Sequence, residues 1–135
     1  MGKMAKLFLL RIQDAAKVTD NEALKIFGVR IAKFLPKGWV HYGEATPSKS
    51  LLFKIKDLEK NKKWNKETFQ TQYVPFYLKE IKQNPNAKNE LQTILNTIRS
   101  GKNVYYACYC GDATICHRSL VGEIIKRQGI DIEYL

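Results

Sequence analysis

The sequence predicts an α/β sandwich built around a parallel sheet. Three observations carry this. Lys6–Ile12 and Val104–Cys108 are apolar, β-rich runs that read as buried strands, Ala87–Arg99 and its neighbours show helical spacing of apolar residues, and the C-terminus reads strand–helix–strand. A chain of 135 residues is large enough for one core of two or three layers, so residues 1–135 are expected to form a single domain.

The elements follow in order. After the first strand, Asp14–Asn21 is polar and carries turn formers. Leu24–Ile31 reads as a second strand ending at the Phe34-Leu-Pro36-Lys-Gly38 loop, with a helix as the competing reading, and Trp39–Gly43 is a short extended segment. Thr46-Pro47-Ser48 resembles a helix start, with Pro47 near the first turn and Leu51, Leu52 and Ile55 following. Lys54–Lys66 reads as a lysine-rich connection. From Asn65 the spacing predicts a long amphipathic helix with Phe69, Tyr73, Phe76 or Tyr77, and Ile81 on its apolar face, kinked or broken at Pro75. Gln83–Asn86 is a turn, and Gly101 stops the helix Ala87–Arg99. The strand Asn103–Cys108, the loop Tyr109–Thr114, a helix from about Ile115 to Gln128 and a last strand at Ile130–Tyr134 complete the chain.

Composition narrows the function classes. Hydrophobic content of 44% with 11% aromatics belongs to a folded protein, and no apolar run approaches the roughly 18 residues that span a bilayer. Leu7–Leu10 is too short for a signal peptide and meets Arg11 at once. Three cysteines, an odd number, argue for free thiols in a reducing, cytoplasmic setting. The net charge of +10 favours anionic partners, although most of the cations are lysines, which also serve as plain solubilising charge.

All three cysteines fall in Cys108-Tyr-Cys110-Gly-Asp-Ala-Thr-Ile-Cys116, followed by His117-Arg118-Ser119. Open α/β sheets bind ligands at the carboxyl ends of their strands, which is where this run begins. The N–H groups of the helix start and Arg118 would attract an anion, and the same field would favour a thiolate at Cys110 or Cys116. His117 is the candidate base or acid. Opposing each role is a plain one: Cys108 as a core residue, Cys116 packed under the helix, His117 as a cap, Arg118 as surface charge. Zinc or iron–sulfur is the sharpest rival, but side chains on adjacent residues diverge and structural zinc sites draw ligand pairs from separate segments, so no metal and no cofactor is expected. Cys110 and Arg118 are separated by seven residues, not the five of a phosphatase loop, and P-loop, GxGxxG, GxSxG and HExxH motifs are absent. A second, softer constellation is Trp39, His41, Tyr42, Glu44 and Thr46-Pro47-Ser48.

These blocks together resemble domain-of-unknown-function family 488, in its short single-domain branch. Leu9-Leu-Arg-Ile12 is similar to the family's opening strand, Thr46-Pro-Ser-Lys-Ser-Leu51 to its Pro-Ser block, and Trp64, Phe69, Tyr73 and Leu78 to its aromatic helix. The strand ending at Cys108, with Cys116-His117-Arg118-Ser119 after seven residues, resembles its most distinctive motif. The chain departs from the family in carrying Cys110 where many relatives have a charged residue, and Pro36-Lys37-Gly38 where they have Pro-Arg-Gly. The resemblance implies a Rossmann-like three-layer sandwich and a site built on Cys108, Cys116, His117, Arg118 and Ser48. The expectation is a thiol-dependent enzyme with Cys110, Cys116 and His117 in catalysis and Arg118, Ser119, Cys108 and Ser48 holding an anionic, nucleotide-like or nucleic-acid-related substrate. A non-catalytic binding module for nucleotide or nucleic acid is the alternative, a small structural metal-binding domain the second, and no membrane partner is expected.

Overall fold

Five short β-rich runs pair into one sheet, and the segments between them supply its covering. The computed structural model describes residues 5–29, 34–46, 48–108 and 117–135. Strands β1 (Leu7–Arg11), β2 (Leu24–Phe27), β3 (Trp39–His41), β4 (Val104–Cys108) and β5 (Ile132–Tyr134) stand in the order β3-β2-β4-β1-β5. Every pairing is parallel, with Leu7 opposite Val104 and Leu24 also opposite Val104. The two runs that read as buried strands, β1 and β4, are neighbours inside the sheet, as apolar parallel strands covered on both faces must be.

The alternation of side chains across a strand divides the core in two. Leu7, Leu9, Ile26, Val104 and Tyr106 pack against the helical layer, while Leu10, Phe27 and Ala107 pack on the other face with Ile12, Ala15 and Trp39. The second face is covered by a 3-10 turn, Ile12–Lys17, that replaces the polar connection expected after β1, and by the chain around Trp39, whose ring lies 5.2 Å from that of Phe27. Each fully buried Leu or Phe stabilises the fold by about 1.5–3 kcal/mol through water release.

The helical layer holds α1 (Lys49–Lys60), α2 (Lys66–Thr68), a π-turn at Phe69–Tyr73, α3 (Val74–Gln83), α4 (Pro85–Arg99) and α5 (His117–Lys126). Helix α1 therefore runs through Lys54–Lys60, which read as a connection in the sequence. Among its described side chains Leu51 is buried and Ile55 packs against the core, while the lysines that made the segment read as a connection lie along its outer side. The helix is also held at its ends. Ser48 is its N-cap, and Lys62 and Lys63 donate to Glu59 and Leu58 in a Schellman closure. Lys62 takes the left-handed conformation (φ 57°) that such a closure usually gives to glycine.

Asn65 opens the next helix with a capping box to Thr68. The break expected at Pro75 is present as the π-turn, whose Val74 N–H donates five residues back to Phe69. Proline lacks the N–H that would bond four residues back, and the wider turn absorbs the loss. It also keeps the aromatic row aligned. Residues spaced by four drift roughly 40° per step on a regular helix, and the wider turn cancels part of that drift. Phe69, Tyr73, Tyr77 and Ile81 are thus all buried, and Phe76 is exposed. Helix α4 starts at the Asn84 cap with Pro85 in its first turn, and Gly101 (φ 101°) closes its end. Strand β2 stops at Phe27, short of its sequence boundary at Ile31: the Gly28 N–H still donates to the Ala107 carbonyl of β4, but the Gly28 carbonyl turns to His117; Arg30 and Ile31 lie outside the described residues, as does Pro47.

Candidate functional site at the carboxyl end of strand β4

Two consecutive residues of α5 turn inward. His117 and Arg118 are both buried, the latter only 3% exposed, at the point where β4 ends in the equally buried Cys108. Arg118 Nη1 donates to Cys108 Sγ at 3.1 Å. Plain surface charge is thereby excluded for Arg118. A guanidinium removed from water requires an acceptor nearby, and the Cys108 sulfur is one.

His117 Nε2 lies 2.9 Å from the carbonyl oxygen of Gly28. A carbonyl can only accept, so this geometry assigns the proton to Nε2 and the ring's lone pair to Nδ1. Burial holds the imidazole pKa below its ordinary value. Arg118 adds to that, while Cys108 and the Gly28 carbonyl oppose it, and burial dominates. Burial thus favours the neutral form of the His117 imidazole.

Gly28 is the residue that sequence reasoning missed. A Cβ at this position would meet Tyr106 Cζ at 2.0 Å, so only glycine lets the backbone pass the ring and offer its carbonyl to His117. The available signal was a glycine inside a strand-like run, which marks a close backbone approach. The aromatic row of the π-turn and α3 leads to the same place. Phe69 stacks on Tyr73, Tyr73 on Tyr77, and the Tyr77 and Tyr106 rings lie 6.4 and 6.0 Å from the His117 ring. Tyr77, not Leu78, is the member of this row that reaches the site.

Ser48 is held at a distance in sequence by Glu80. Its backbone N–H donates to Glu80 Oε1 at 3.0 Å, its hydroxyl donates to Oε2, and the same hydroxyl accepts from the Leu51 N–H. These bonds make Ser48 the anchor of α1. Ser119 is half-buried in the first turn of α5. Cys110 and Cys116 lie outside the described residues. Among the described residues, no three His, Cys, Asp or Glu side chains are gathered as a metal ion would need.

The second constellation forms a clamped turn. Trp39 belongs to the core and His41 Nε2 meets the Val29 carbonyl at 2.5 Å. Glu90 accepts from the N–H groups of Ala45 and Glu44, Thr46 donates to Gly43, and Tyr77 donates to the Ala45 carbonyl at 2.6 Å. Burial raises the Glu90 carboxyl above its usual value, against the two N–H donors that lower it. Tyr77 thus joins the turn to the surroundings of His117 through one side chain.

No helix of the described residues is long and apolar enough to cross a membrane. Comparison with curated proteins and comparison with solved structures each gave no match. Among protein families, the active DUF488-N3 subclade (DUF488-N3a) matches residues 12–129, most of the chain and all of the described site. The family expected from the sequence blocks is the one found, and the chain belongs to the DUF488-N3a family.

Proposed function

We propose that this protein is a thiol-dependent enzyme acting on a small anionic substrate of the nucleotide class or on a related nucleic-acid group. The observation that carries the reading is the buried Arg118–Cys108 contact of 3.1 Å beside the buried His117, at the carboxyl end of an internal parallel strand. Cys108 orients a guanidinium whose planar fork suits phosphate or carboxylate. Cys110 or Cys116 supplies the nucleophilic sulfur, and His117 accepts and returns the proton at Nδ1. Ser119 contributes a hydroxyl at the start of α5, and Ser48, its hydroxyl engaged by Glu80 and Leu51, acts by holding the start of α1. The matched family's description as an active subclade supports a catalytic reading. The all-parallel sheet supports the Rossmann-like assignment, and a site dependent on free thiols suits a reducing cytoplasm.

Complete burial of Cys108 favours a second reading, a non-catalytic nucleotide-binding module, because that sulfur does not face solvent. Thiol alkylation against pH, followed by peptide mapping, separates the two. The enzyme reading expects Cys110 or Cys116 to react fast at neutral pH, with adenosine monophosphate or inorganic phosphate protecting it. Arg118→Ala should weaken binding of these probes by about 1–3 kcal/mol, as for a charged hydrogen bond left unmade. Ligand binding with all three thiols inert would leave the binding module. Stoichiometric zinc that shields every cysteine would replace both readings with a metal site.

A further inference from the structure

The lysines are concentrated on one stretch of surface. Between 54 and 66 the chain carries Lys54, Lys56, Lys60, Lys62, Lys63 and Lys66 against Asp57 and Glu59, a large share of the net +10. All six except Lys54 are exposed. Salt bridges among the described residues involve only Lys6, Arg11 and Lys17 as cations, so no carboxylate within ion-pair distance neutralises this stretch. Two large aromatics stand in the same region. Phe53 of α1 is 67% exposed and Phe76 of α3 is 48% exposed, and Lys54 Nζ sits 4.1 Å from the centre of the Phe76 ring. Phe53, Lys56 and Lys60 are spaced three and then four apart, which sets them along one outward face of α1.

An unneutralised row of ammonium groups favours a polyanion, and a solvent-facing phenyl ring beside it favours a flat apolar group carried by that polyanion. A single-stranded nucleic acid offers both, since its phosphates repeat along the chain and its bases are free to stack. A duplex buries its bases from such a ring. A membrane surface would need a continuous apolar stripe, and α1 turns Leu51 and Ile55 into the core.

We propose that the surface formed by residues 53–66 together with Phe76 binds single-stranded nucleic acid, with the lysines on phosphates and Phe53 stacked on a base. The proposal rests on the anionic-substrate reading of the Arg118 site for its class of ligand, but uses none of that site's residues.

Fluorescence anisotropy of the full chain with labelled single-stranded oligo-dT and oligo-U tests it, at about 50 mM and about 200 mM salt. Affinity should fall steeply with salt. The variant Lys56→Glu/Lys60→Glu/Lys63→Glu should bind roughly tenfold more weakly or worse. Phe53→Ala, which changes no charge, should lose about tenfold on single strands and nothing on a duplex. These positions are exposed, so unchanged circular dichroism and melting temperature are expected. Absence of binding at the lower salt, equal affinity for duplex, wild-type binding by the variants, or capture by phosphatidylserine vesicles without oligonucleotide binding would each overturn the proposal. Adenosine monophosphate is titrated into the same proteins. Oligonucleotide binding without any mononucleotide binding would retire the Arg118 reading and leave this surface standing; mononucleotide binding alone would do the reverse.

Discussion

At the scale of single residues, the site depends on space as much as on charge. Gly28 is not in a left-handed conformation, so its backbone would suit any residue; what forbids a side chain is the Tyr106 ring. Gly28→Ala should destabilise the fold by about 3 kcal/mol, at the upper end of overpacking costs, because Tyr106 is fully buried and has nowhere to turn. Gly28→Ala/Tyr106→Leu should recover part of the loss, and urea unfolding of the two single variants and the double measures the coupling. Additive effects would mean that the ring is not the obstacle. The same substitution moves the carbonyl that fixes His117, so a change at residue 28 is felt by residue 117 without any change in charge.

Among the secondary-structure elements, α1 is held by defined contacts at both ends. It is secured by Ser48 with Glu80 at one terminus and the Schellman closure at the other. The left-handed position in that closure is occupied by Lys62, for which the conformation costs about 1–2 kcal/mol relative to the right-handed region. Lys62→Gly should therefore stabilise the protein, by about 0.5–1 kcal/mol after the added freedom of glycine in the unfolded chain is subtracted. A lower melting temperature would show that the lysine makes a contact worth more than the strain. The π-turn carries a different lesson. A proline that would interrupt a regular helix is accommodated by one wider turn, and the aromatic row it preserves ends in Tyr77 beside His117.

For the molecule as a whole, the buried imidazole links stability to pH. The folded pKa of His117 lies below its ordinary value of about 6.5, so on acidification the unfolded chain takes up the proton first. The contribution is complete above that value and is lost as pH falls below it toward the depressed folded pKa. Glu90 acts in the opposite sense, because its raised carboxyl is protonated in the folded state before it is in the unfolded one. His117→Gln keeps a donor for the Gly28 carbonyl and removes the titration. Denaturant unfolding between pH 8 and pH 5 should therefore show a flatter decline for this variant than for the wild type, and equal slopes would mean that His117 is protonated in the folded protein.

Local features were legible in the sequence because each is encoded within a turn or two of chain. The strands β1 and β4, the helix stop at Gly101, the helix start at Asn65, the interruption at Pro75 and the burial of Cys108 follow from period, cap chemistry and apolar run, whereas Gln83–Asn86, read as a turn, already holds the Asn84 cap and the first residues of α4. The family blocks were legible for the same reason. The two ends of α1 are encoded locally too, yet its length was not read, because the run of lysines from Lys54 resembles a solvated connection. Tertiary structure alone decided the rest. It set the strand order, the pairing of Arg118 with Cys108, the Gly28 carbonyl that lies 89 residues from His117, and the Glu80 and Glu90 carboxylates that hold segments 32 and 45 residues away. A periodicity states which face of an element is apolar. It does not state what that face will meet, and the chemistry of this site is made by the meeting of four distant segments around one buried guanidinium.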